Sequence, residues 1–144
     1  DTDLDNLLSG FTTYDASVLE FDLVPAGSVL EFQYVFASEE YPEYVGSSYN
    51  DVFGFFIDGQ NPAGGYYIKE NIAIVPGTTM PVAINNVNAT TNSAYFIDNT
   101  DTIIPSVVFD GYTVTMLAQI DVIAGATYHL KMAIGDAGDG ILDS

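Results

Sequence analysis

Cysteine and arginine are absent from this chain, and its basic side chains are Lys69, Lys131 and His129 alone. Without cysteine there is neither a disulfide framework nor a thiolate metal site. A single histidine also leaves no His-rich zinc centre. Two lysines against twenty Asp and Glu give a formal charge of −18. Such a surface repels nucleic acid and anionic membrane, so neither is expected as a partner. No apolar run approaches the roughly eighteen residues of a membrane span, so this segment is not expected to insert into one. Neither the G-x-S-x-G elbow nor a phosphate-binding glycine motif is present, and no catalytic activity is expected. The opening Asp1-Thr2-Asp3-Leu4-Asp5 has no initiator methionine and is not a signal peptide, so the chain reads as an excised or mature segment of something longer.

What remains is a β-rich, apolar sequence. At 144 residues and 48% hydrophobic it is long enough for one domain with a sizeable core, residues 1–144, and too apolar for a disordered acidic tail. Its charge repels itself, and a salty medium, counter-ions or bound divalent cations would relieve that strain. Leu4, Leu7 and Leu8 suit one helical turn, with Asp3 or Asp5 near its N-terminal end. From Ser17 the pattern alternates: Leu19, Phe21 and Leu23 face one way, and Val18, Glu20 and Asp22 the other. After a turn at Pro25-Ala26-Gly27 the alternation resumes over residues 28–37, predicting a hairpin. Residues 51–58 are apolar on both faces apart from Gly54, predicting a central strand. Further strands are expected at 66–68, 71–75, 82–87, 106–109, 113–120 and 126–134, with turns at 58–65 and 76–77. The class predicted is all-β, a two-sheet, jelly-roll-like β-sandwich.

Two acidic loops stand out. Residues 38–51 carry Glu39, Glu40, Glu43, Asn50 and Asp51, and the final ten residues carry Asp136, Asp139 and Asp143. An echo links them, since Phe21-Asp22-Leu23-Val24-Pro25-Ala26-Gly27 resembles Ile120-Asp121-Val122-Ile123-Ala124-Gly125. Each copy leads through a strand into an acidic loop, which would open both loops at one end if the copies point alike; chance or generic hairpin grammar explains the echo more readily. Calcium takes six to eight oxygens from carboxylates, amides, carbonyls and water. Glu39, Glu40, Asn50, Asp51, Asp136, Asp139 and Asp143 are therefore the candidate Ca2+ ligands, against the alternative of solvated turns. The EF-hand spacing and its flanking helices are missing. Adjacent Glu39 and Glu40 point to opposite faces and make a poor glycosidase pair. Tyr41, Tyr44 and Tyr49 either bind a glycan or peptide ligand or pack down as a lid on the core. His129 is expected to be exposed or hydrogen-bonded. Asn88-Ala89-Thr90 is a formal glycosylation sequon.

Ser38-Glu39-Glu40-Tyr41-Pro42-Glu43-Tyr44, followed by Asn50-Asp51-Val52-Phe53-Gly54-Phe55-Phe56-Ile57, resembles the choice-of-anchor L domain of large bacterial secreted and surface-attached proteins. Residues 71–78, 82–88, 109–113 and 125–144 fit the same pattern in order. The resemblance implies an exported module on the bacterial cell surface, with adhesion as its role. It supplies no established ligand set. Family members have further β sequence before Asp1 and a closing apolar strand after Ser144, which implies an open sheet edge here. Such an edge invites self-association into a polymer or filament, or a strand donated by another chain.

Overall fold

The computed structural model describes residues 1–8, 10–101 and 108–138. Its largest sheet runs in the order β1 (Thr13–Leu23), β10 (Tyr128–Ala137), β4 (Val52–Gln60), β5 (Tyr66–Asn71), with β6 (Val82–Ala83) beside β4. A two-stranded sheet, β2 (Val29–Tyr34) with β9 (Met116–Asp121), packs on its inner face. A third small sheet, β3 (Ala37–Ser38), β8 (Gly111–Thr113) and β7 (Phe96–Asp98), lies at one end, and every pairing is antiparallel. The all-β sandwich class stands, and β4 is central as its two-faced apolar pattern requires.

The hairpin expected across residues 24–28 does not form. β1 pairs with β10 and β2 pairs with β9, so the connection is an arch from one sheet to the other. Alternation reports which face is buried, not which strand lies alongside. Phe21 and Leu23 of β1 and Leu30 and Phe32 of β2 all enter the same inter-sheet core, as either connection would have them do. The echo acquires a structural meaning here. Its second copy is also an arch, the two arches touch through the Gly125 N–H donating to the Pro25 carbonyl at 2.9 Å, and their strands pair crosswise.

Other boundaries moved for local reasons. Asp1, rather than Asp3 or Asp5, caps the helix α1 (Thr2–Leu7), its carboxylate accepting from the N–H groups of Asp3 and Leu4. The strand expected at 82–87 ends at Ala83, because Asn86 and Asn88 bond nearby backbone and hold turns instead. The strand expected at 113–120 breaks before Met116, where the chain changes sheets. Of the strand expected at 106–109, residues 108–109 are not β and the rest lies outside the described residues. β7 was not anticipated.

Three packed regions result. Phe55, Ile57, Leu130 and Tyr128 fill the space between the sheets. Leu4 of α1 and Leu8 at its C-terminal cap cover the outer face over Val52, Phe56 and Ala133. Gly54 admits this helix, since a Cβ there would lie 2.5 Å from the Phe56 ring and 3.1 Å from Leu4. Phe36, Tyr41, Val75, Val82, Ile84, Val87 and Met116 form the third region, beneath the acidic loop.

Candidate functional site

β2 and β10 both run away from the arches, so residues 38–51 and 136–138 emerge at one end of the sandwich. The Asn50 N–H donates to the Ala137 carbonyl at 2.9 Å. Gly138 lies against residues 48 and 49, with a φ of +108; a Cβ there would strike the Ser48 carbonyl oxygen. The β4–β10 register, Val52 against Gly135, carries one step further to set Asp51 opposite Asp136. Both side chains then lie on the inner face of the sheet.

These carboxylates are deep. Asp51 is 0% exposed, Glu40 2% and Asp136 7%. The Ser38 hydroxyl donates to Asp51 Oδ2 at 2.8 Å and accepts from the Glu40 N–H at 2.9 Å, tying the start of the loop to its end. Asn50 Oδ1 accepts from the Asn85 N–H at 2.9 Å, and the Asn85 amide binds Gly46 and Ser47, so residues 84–86 brace the loop. Ser38 and Asn85 were missed at the sequence level, because neither residue is distinctive by type.

Glu39 and Glu40 diverge as adjacent residues should. Glu40 goes inward, while Glu39 lines an open surface cleft of about 450 Å³ with Glu43, Tyr44, Val108 and Asp110. Tyr44 is 38% exposed and meets Tyr49 edge-on at 5.2 Å. Tyr41 does not belong with them. It is 0% exposed, packs at a tilt against Phe96 at 4.8 Å and donates its hydroxyl to the Val87 carbonyl at 2.6 Å, so of the two alternatives for this ring it takes the core contact in place of the ligand contact. Burial, reinforced by the Asp51 charge, pushes its phenol well above the usual range. Asp139 and Asp143 lie outside the described residues. Among the described residues, no three His, Asp or Glu side chains are grouped so as to hold a metal ion.

The chain's basic side chains are committed elsewhere. Lys131 Nζ bonds Asp1 and Asp3 at 2.7 Å each, and Lys69 Nζ bonds Asp3 at 2.6 Å. His129, exposed as expected, sits 2.8 Å from Asp22. Lys131 is five residues along β10 from Asp136 and on the other face of the sheet. The Asn88 sequon is a turn brace: Asn88 is 2% exposed, donates to the Ile84 carbonyl and accepts from Thr90 and Thr91.

The family model described as the choice-of-anchor L domain matches residues 1–144. Comparison with curated proteins gives no match, and neither does comparison with solved structures. Among the described residues no helix is long and apolar enough to cross a membrane.

Proposed function

The chain belongs to the choice-of-anchor L domain family, a bacterial, extracellular and surface-associated type of module, and from that premise we propose a non-catalytic domain of a surface adhesin or filament, stabilised by calcium at its acidic end. One observation carries the metal. Asp51 and Asp136 are buried and set opposite each other where the two acidic stretches emerge together. Facing carboxylates are the hard oxygen donors that a divalent cation such as calcium takes. Asp51 and Asp136, set opposite each other, are the ligands that this reading favours. Thermal unfolding with calcium and with EDTA tests it, a calcium-independent melting temperature being the contrary result.

A second reading rests on the open cleft. Glu39, Glu43 and Asp110 with the exposed Tyr44 ring offer acceptors beside an aromatic face, the composition of a glycan or peptide subsite. Glycan and peptide arrays probed with the wild-type domain and with Tyr44→Ala test it. Signal lost in the variant supports the cleft, and equal signal opposes it.

A further inference from the structure

The two-stranded sheet covers only part of the face beneath it. The Phe32 ring packs at a tilt against Phe55 at 4.7 Å and Tyr34 against Phe53 at 5.1 Å, so this part of β2 lies over β4. In the large sheet Phe55 is in register with Met132 and Leu19, and Phe53 with Ile134 and Ser17. Those two rows run on across β10 and β1, about 10 Å beyond the cover at normal strand spacing. They form an open apolar groove of about 320 Å³ lined by Ser17, Leu19, Phe53, Met132 and Ile134, with Leu19 56% exposed. Beside it the Tyr34 hydroxyl is buried without a hydrogen-bond partner among the described residues.

Among the described residues, nothing pairs with the edge of β2 that overlooks this groove. Val122 donates to the Ser28 carbonyl, which makes 28/122 a hydrogen-bonded pair in the β2–β9 ladder. Alternation then turns the N–H and C=O groups of Val29, Glu31 and Gln33 away from β9 toward the groove side. Three other edges carry local irregularities or a side-chain bond. β1 carries a bulge at Asp15, β5 has a register shift opposite Gly59 and a left-handed Lys69, and Tyr67 bonds the Asp121 carbonyl on the outer side of β9. β2 has no proline, glycine or bulge.

We propose that this edge receives an extended strand from another polypeptide, which pairs with β2 and buries alternate apolar side chains against Leu19, Met132 and Ile134. Charge selects the occupant. Its outward side chains stand beside Val29, Glu31 and Gln33, so lysine or arginine opposite Glu31 is favoured. A second copy of a chain with a formal charge of −18 would bring repulsion instead. The proposal gives the adhesion or assembly reading its partner class, and it uses neither the acidic end nor calcium.

The test uses a fluorescent octapeptide alternating valine with threonine and carrying one central outward lysine, in parallel with its glutamate counterpart. Anisotropy is measured in calcium and in EDTA, with hydrogen exchange on the bound form. Expected are binding in both media, slowed exchange at Val29, Glu31 and Gln33, and at least tenfold weaker binding of the glutamate peptide at low salt. Leu19→Glu and, independently, Glu31→Pro should each weaken binding at least tenfold; the latter removes an outward N–H without touching the β9 ladder. No protection at β2, equal affinity for the two peptides, or self-association abolished by Leu19→Glu would overturn the proposal. Loss of peptide binding with a calcium-dependent melting temperature retained would leave the metal reading intact.

Discussion

Asp3 gathers both lysines of the chain onto one carboxylate at the start of α1, and that fastens the helix to the outer face of the sheet. Burial alone would raise its pKa, but hydrogen bonds and attraction from Lys131 and Lys69 hold it below the usual carboxylate range. A depressed folded value means that this stabilisation is present above the unfolded value of about 4 and is lost as pH falls through the folded one. Asp3→Asn should therefore cost about 2 kcal/mol at pH 7, with a smaller gap from wild type near pH 3, both measured by urea unfolding. At Tyr41, removing the hydroxyl strands the buried Val87 carbonyl. Tyr41→Phe should cost about 1–2 kcal/mol, whereas Tyr44→Ala should stay within about 0.5 kcal/mol on the same assay.

At the scale of elements, strand positions were largely legible and strand partners were not. Alternation marked β1, β2, β4 and β10 because their inner residues share one core, yet the same alternation fits a hairpin and an arch. The choice depends on residues 24–28 meeting residues 123–127, where Gly125 bonds Pro25 a hundred residues away in sequence. The acidic residues showed the same split. Their clustering was visible, and the echo allowed both loops to open at one end only if its copies pointed alike, but the sequence could not separate the buried Glu40 from Glu39 beside it, or Tyr41 from Tyr44. Those outcomes depend on the cradle made by Ser38, Asn85 and Phe96. Gly138 is the joint between the two loops. Gly138→Ala combines a left-handed φ with a clash on the Ser48 carbonyl, so it should separate them, costing about 1–3 kcal/mol and weakening any response to calcium in a denaturation series with and without the metal.

For the whole molecule, the governing quantity is a formal charge of −18, with both lysines gathered on Asp3 beside α1 and Glu40, Asp51 and Asp136 buried where the acidic loop emerges. A fold built this way stays soluble through self-repulsion and gains stability from any cation that it holds specifically. Screening alone would act through ionic strength and would not distinguish calcium from magnesium at equal concentration. Calorimetric melting at fixed ionic strength, in EDTA, magnesium and calcium, therefore separates the two causes most directly. Binding at a hundredfold excess over the dissociation constant contributes about 2.7 kcal/mol, a rise in melting temperature on the order of 10 °C. The account predicts that rise with calcium, a smaller one with magnesium, and none with calcium in Asp51→Asn or Asp136→Asn. Superimposable wild-type transitions in all three media would contradict it.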